Sequence, residues 1–165
     1  MAVHGPITGE GVVLRPTTAD DLDEARRLFT EPGFYEYWDG YAKPDEEILE
    51  KFLGRRSPAV ECFFVEVDGD VVGFTQYHLA EDGLGGGMDL VLLPEVRGRG
   101  VGERVVAAMA NFVGSQLGWS RFTVDPEVAN ERGVNFWSKV GFRKVRIVND
   151  VTHPPLWHME WAQPE

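Results

Sequence analysis

From position 92 the chain reads Leu-Leu-Pro-Glu-Val-Arg-Gly-Arg-Gly-Val-Gly-Glu, ending at Glu103. Glycine lets backbone N–H groups approach a ligand closely and adopt positive φ. A helical pattern follows from Glu103 to about Leu117, with Val105, Val106, Met109, Phe112 and Val113 as its apolar stripe. The first turn of such a helix carries unpaired N–H groups and the positive end of the macrodipole. Loop and helix start together can bind an anion, phosphate above all. Arg97 and Arg99 add local positive charge. A glycine-rich connector with solvated arginines has the same composition, so context must decide. The glycine spacing is wrong for a dinucleotide fingerprint, and no Gly-Lys-Ser/Thr follows as a nucleotide P-loop requires.

Asp89 is the second residue of chemical interest. It lies in Met88-Asp89-Leu90-Val91-Leu92-Leu93, a strand-like run ended by Pro94. Alternation along a strand puts Asp89 on one face with Val91 and Leu93, and Leu90 and Leu92 on the other. Aspartate is disfavoured inside a strand, and misplaced polar groups mark sites. A carboxylate there can take a proton from an ammonium. The plainer alternative is a solvated aspartate at a strand start. His78 and His153 are other candidate bases. The four histidines and Cys62 lack zinc-ligand spacing, so no metal site is expected. Cys62, beside Phe63, Phe64 and Val65, reads as a buried structural thiol.

These residues need positioning elements. A chain of 165 residues fits one domain. The reading is a tail over residues 1–9 and a single domain over residues 10–162. Val12 to Pro16 is strand-like, and Thr18 caps a helix carrying Leu22, Ala25, Leu28 and Phe29. Short helices follow at Gly33–Trp38 and after Pro44. Glu61–Val67 and Val71–Leu79 form a hairpin across Asp68-Gly69-Asp70. A glycine cluster leads into the Met88–Leu93 strand. Beyond the long helix come a strand at Arg121–Val124, a helix at Asn130–Val140 capped by Gly141, and a closing hairpin. This order predicts an α/β (mixed α+β) domain around one mixed sheet.

The spacing Arg97-x-x-Gly100-x-Gly102, between a strand and a helix, resembles the acyl-CoA pyrophosphate loop of the GNAT superfamily of N-acetyltransferases. A second segment, Asn130-Glu131-Arg132-Gly133-Val134-Asn135-Phe136-Trp137-Ser138-Lys139-Val140-Gly141-Phe142, resembles the family's Asn-x-x-Ala-x-x-x-Tyr-x-x-x-Gly-Phe segment. The resemblance covers about Glu10 to Trp161. It implies a GNAT fold: a mixed twisted sheet with flanking helices, whose two central parallel strands, here Met88–Leu93 and Arg121–Val124, splay apart. Acetyl-CoA would lie in the split, with backbone contacts at Val91, Leu92 and Leu93. Its pyrophosphate would sit on the amides of Arg97, Gly98, Arg99, Gly100, Val101 and Gly102, and Asn130 would bond the pantetheine. Trp137 stands where many members use tyrosine as general acid. An indole N–H is no practical acid, though it can donate a hydrogen bond to the sulfur.

Within the superfamily the chain is most similar to the aminoglycoside 6′-N-acetyltransferases. That group carries an aspartate at the position of Asp89, facing the acceptor. Tyr35-Glu36-Tyr37-Trp38-Asp39-Gly40 resembles its aromatic loop, and Gly73-Phe74-Thr75-Gln76 its Gly-aromatic-small-Gln strand. Asp125-Pro126 matches an Asp-Pro whose aspartate faces substrate. The resemblance therefore implies acceptor contacts at Tyr37, Trp38, Gln76, Asp89 and Asp125. For Tyr37 and Trp38 core packing is the alternative, and for Asp125 a turn before proline.

The charge balance agrees with a cationic acceptor. There are 16 Lys and Arg against 27 Asp and Glu, a net charge of −11. Such a chain repels phosphate backbones and anionic membranes, so neither nucleic acid nor membrane is expected as a partner. No apolar stretch approaches a membrane span. Met1 to Pro6 shows no secretory pattern, and one cysteine forms no intrachain disulfide, so a cytoplasmic enzyme is expected. A homodimer is compatible with the family. The resemblance implies direct acetyl transfer to a primary amine of a small cationic acceptor, an aminoglycoside being the named guess, with antibiotic resistance as its role. Related families with the same CoA motifs acylate siderophore-type lysines or protein N-termini. A non-catalytic acyl-CoA binding module is the reading from a different class, and Trp137 is its support.

Overall fold

The computed structural model describes residues 5–36 and 38–162. Eight strands form one sheet: β1 (Ile7–Gly9), β2 (Val12–Pro16), β3 (Val60–Val67), β4 (Asp70–Leu79), β5 (Gly85–Leu92), β6 (Arg121–Val124), β7 (Phe142–Asp150) and β8 (His153–Trp161). Their spatial order is β1-β2-β3-β4-β5-β6-β8-β7. Helices α1 (Leu22–Phe29), α2 (Pro32–Tyr35) and α3 (Asp45–Lys51) come from the N-terminal half. Helices α4 (Val101–Ser115) and α5 (Glu131–Val140) follow β5 and β6. The sequence expectation of a mixed sheet with flanking helices holds.

Strand alternation sorts the core into two layers. Met88 and Leu92 pack with Val105, Val106 and Met109 of α4 and with Val134 of α5. Val91 and Leu93 pack on the other face, with Leu28 and Phe29 of α1, Ile48 of α3 and Phe74 of β4. Thr18 caps the turn before α1, and Asp21 returns the bond to the Thr18 N–H, closing a capping box.

Two expectations change. Ile7–Gly9, read as part of a tail, is strand β1: it pairs with β2 from Ile7↔Leu14 to Gly9↔Val12, and Ile7 is buried. The glycine cluster, read as a lead-in loop, is the first part of β5, because Gly85, Gly86 and Gly87 pair in parallel with Arg121, Phe122 and Thr123.

The parallel pairing ends at Gly87↔Thr123. Strand β6 then turns toward β8, pairing Thr123↔Glu160 and Val124↔Met159. Strand β5 stays with β4 along its whole length, from Leu79↔Gly86 to Gly73↔Leu92. Past Gly87 the edge of β5 facing β6 is therefore free of strand pairing, and a wedge opens between the central strands. No helix among the described residues is long and apolar enough to cross a membrane.

Candidate active site

The wedge leads into a cleft of about 460 Å³ lined by β5, the glycine loop, the start of α4 and one face of α5. Leu90, Val91 and Leu92 form the β5 wall. Gly98 and Gly100 have φ of +77° and +81°, values that favour glycine, and Gly100 is the residue that leads into α4. The unpaired first-turn amides of α4 thus face an opening bounded by Gly98, Gly100 and Gly102.

Arg97 lines this cleft, but its guanidinium is also a staple. It donates to the carbonyl oxygens of Leu92 (2.7 Å) and Gly33 (2.8 Å), tying the loop to β5 and to α2. Arg99 is exposed and does not line the cleft. Leu93 and Val101 are buried with the core and also lie outside the lining. The Leu93 N–H bonds the Val72 carbonyl at 2.9 Å, and Leu90 stands in the lining where Leu93 does not. The two arginines should separate by experiment. Arg97→Ala loses two charged hydrogen bonds, worth about 1.5–3 kcal/mol each. It should weaken acetyl-CoA binding at least tenfold by calorimetry and lower the melting temperature. Arg99→Ala should leave the melting temperature unchanged.

The opposite wall is α5. Asn130 is its N-cap, its side-chain oxygen accepting from the Gly133 N–H at 3.0 Å, which leaves its amide NH2 as a donor for a ligand. Arg132, Asn135, Phe136 and Lys139 also line the cleft. Their spacing of three, four and seven residues from Arg132 is one helix face. That spacing was the signal in the sequence, within a segment whose first and eighth residues alone were singled out. Lys139 reaches across to Glu103 of α4 at 2.8 Å. Trp137 is buried at the back, edge-on to Phe136 (5.0 Å) and Phe142 (5.4 Å).

Asp89 lies half-buried on the other side of β5, where alternation placed it. Gln76, its cross-strand partner, donates from Nε2 to Asp89 Oδ2 at 3.0 Å. Thr75 Oγ1 donates to the Asp89 carbonyl at 2.7 Å. Gln76 is buried, so it orients Asp89 rather than offering an open surface. Asp125 follows β6 where the strands part. It is exposed, and the protein around it strips part of its hydration. That desolvation, and the Asp89 carboxylate beside it, push its pKa up to about 6.

The sign for stability follows. The ordinary aspartate value is 3.8, so between there and about 6 the folded chain holds a proton that the unfolded chain releases. Asp125 therefore favours the fold at low pH and costs stability as pH rises through 6. Asp125→Asn, which mimics the protonated form, should raise the melting temperature at pH 8 and leave it unchanged at pH 4.

The aromatic loop divides. Trp38 is half-buried, edge-on to Phe74 (5.4 Å), Phe52 (5.5 Å) and Phe29 (5.9 Å), which is core packing. Tyr37 lies outside the described residues. Burial pushes the Cys62 thiol up to about 12, and its sulfur faces the Lys51 carbonyl and Gln76, so it is no nucleophile.

A family model described as "Acetyltransferase (GNAT) family" matches residues 20–142. The chain belongs to the GNAT acetyltransferase family. An aminoglycoside N(6′)-acetyltransferase type 1 from Klebsiella pneumoniae is 22% identical, with 94% of this chain and 86% of the relative covered. The same figures hold for the enzyme of that name from Serratia marcescens. A solved structure of AAC(6′)-Ib with paromomycin and acetyl-CoA superimposes with a TM-score of 0.82 at 21% identity, covering 93% of this chain and 94% of that one. As a GNAT member this chain is an N-acetyltransferase with acetyl-CoA as its cosubstrate. The cleft fits that group. Beyond Gly87, β5 presents an edge free of strand pairing to an amide-bearing chain. The positive-φ glycines and the α4 amides suit a pyrophosphate.

Proposed function

We propose that this GNAT acetyltransferase transfers acetyl directly to a primary amine of a small cationic acceptor, an aminoglycoside. The observation that carries this reading is the pair Asp89 and Asp125, brought together where the central strands part and close enough for one carboxylate to raise the other's pKa. Acetyl-CoA supplies an activated acetyl thioester. Asp89, oriented by Gln76, takes the proton from the acceptor ammonium and leaves a neutral amine able to attack. An alkylammonium has a pKa near 10, so without such a base few acceptor molecules carry a lone pair at neutral pH. Asp125 attracts a neighbouring ammonium of the same acceptor. The N–H groups of β5 bordering the wedge are the donors for the developing oxyanion. Trp137 walls the thioester end and offers a hydrogen bond, not a proton.

Support for an aminoglycoside in particular comes from the relatives named above, and from the acidic acceptor face in a chain of net charge −11. The same reading places the enzyme in the cytoplasm, as monomer or homodimer, with neither nucleic acid nor membrane as partner, and gives it a role in antibiotic resistance. The test is thiol release from acetyl-CoA over a panel of aminoglycosides, polyamines, lysine-type amines and peptide N-termini. Preferred turnover of aminoglycosides bearing a 6′-amine is expected. Preference for another amine overturns the acceptor assignment. Tight CoA binding with no turnover on any amine overturns direct transfer.

A further inference from the structure

Asp125 has a partner that neither motif contains. Strands β6 and β8 pair antiparallel at Thr123↔Glu160 and Val124↔Met159. The register continues past the end of β6: the Trp157 N–H bonds the Pro126 carbonyl at 2.8 Å, and Glu127 bridges to Leu156. Asp125 and His158 therefore stand directly opposite each other, between paired positions on either side. Side chains directly opposite in an antiparallel pair share a face and lie within about 5.5 Å at Cβ. Met159 is fully buried in the core shared with α4, so its neighbours His158 and Glu160 point to the other face, the acceptor side. His158 Nε2 is held by Glu160 Oε1 at 3.0 Å. The imidazole is thus held by one carboxylate on the face that it shares with a second, Asp125.

Other charges meet Asp125. From β5 comes Asp89, which raises its pKa; from β8 come His158 and His153, which lower it. Glu127 follows on the same face, two residues on. Beyond β8, Arg143 is opposite Glu160 and Arg146 opposite His158 on β7. From β4, the His78 ring lies over Gly87, where a Cβ would approach its Cε1 to 2.6 Å and the Thr123 carbonyl to 3.1 Å.

We propose that His158, clamped by Glu160, is a positioning residue of the acetyl-transfer reaction: facing Asp125 across the β6–β8 ladder, its ring favours the ionised carboxylate there, ready for the acceptor cation. The proposal rests on the acceptor reading above. Desolvation, and the Asp89 carboxylate beside it, both displace Asp125 toward neutrality. A neutral Asp125 would hold no ammonium. A ring fixed on the opposing strand offsets Asp89 without occupying the place of the acceptor. The Glu160 contact holds that ring away from a closed pair with Asp125.

The test is a side-chain carboxyl NMR titration of Asp125 in the full chain, for wild type, His158→Gln and His158→Lys, which needs no turnover. The Asp125 titration should move to higher pH in His158→Gln and stay at or below the wild-type position in His158→Lys. Where the enzyme turns over an amine, the acid limb of kcat/KM for that amine should follow the same order. The His158→Gln deficit should be greatest below pH 6 and shrink as pH rises. A role in packing alone would lower the rate equally at every pH. An unmoved Asp125 titration in both variants overturns the proposal, as does a moved titration with an unmoved acid limb. Failure of every amine in the panel overturns the acceptor reading instead, and is recognisable because the titration is read without substrate.

Discussion

Asp89→Asn should cut kcat by about 10²-fold or more, the range for loss of a general base, while the acetyl-CoA dissociation constant changes less than twofold. The two effects separate because Asp89 and the cleft are on opposite sides of β5. Its side chain shares a face with Val91 and Leu93 and bonds Gln76; of these only Val91 also borders the cleft, which is otherwise walled by Leu90, Leu92, the glycine loop and α5. Asparagine keeps an oxygen for the Gln76 donor, so the strand and its register survive. Desolvation, the larger cause of the raised Asp125 pKa, stays, but the substitution removes the second cause, the Asp89 charge, so that pKa should fall below about 6. Stopped-flow or thiol-release kinetics paired with calorimetry checks both parts. Equal loss of turnover and acetyl-CoA affinity would remove Asp89 from the role of base.

Gly86→Val should lower stability by about 3 kcal/mol, the upper part of the range for overpacking, a fall of roughly 10 °C in melting temperature for a chain this size. A Cβ at Gly86 would collide with the His78 carbonyl oxygen and approach the Trp119 ring to 2.5 Å. The first obstacle is strand backbone. The second is packed edge-on against Tyr77 (5.6 Å) and tilted against Phe122 (6.0 Å), so displacing it disturbs those contacts. Gly114→Ala is the control. Nothing lies within 4 Å of a Cβ there, inside α4, so about 0.5–1 kcal/mol should be gained. Thermal unfolding by circular dichroism reads both.

Features fixed by neighbours in the chain were legible in the sequence. The alternation that put Asp89 with Val91 and Leu93, the glycine loop before an apolar helix, and the Asn130 cap are all local. The splayed strands are not local in this sense: they were expected only from the family resemblance that the two motifs carry. Gly85–Gly87 failed as strand because glycine has low strand propensity; the reason for glycine there is the crowding of β4, β6 and Trp119, invisible from residues 85–87 alone. Ile7–Gly9 failed because three residues carry too little pattern, although the Gly9-Glu10-Gly11 turn before an apolar strand was a usable hint. Arg97 was placed in the cleft, but its staple to Gly33 spans 64 residues and follows no spacing rule. The facing of Asp125 and His158 depends on the register of β6 against β8, which no motif encodes.

The wedge between β5 and β6 also makes the fold unequally guarded against its own opening. On one side β5 is sewn to β4 over its whole length; on the other its last five residues, Met88–Leu92, have no β6 partner. Amide hydrogens exchange through local openings, so this edge and the first turn of α4 should exchange fastest within the central sheet. A ligand that lies along the edge acts as a removable strand. At a hundred times its dissociation constant it would add about 2.7 kcal/mol to the folded state, and the slowing should concentrate on β5 and α4 while β1–β3 exchange as before. The molecule's rigidity at its centre is then set by how much cosubstrate is present, so resistance to heat or proteolysis becomes a gauge of acetyl-CoA supply.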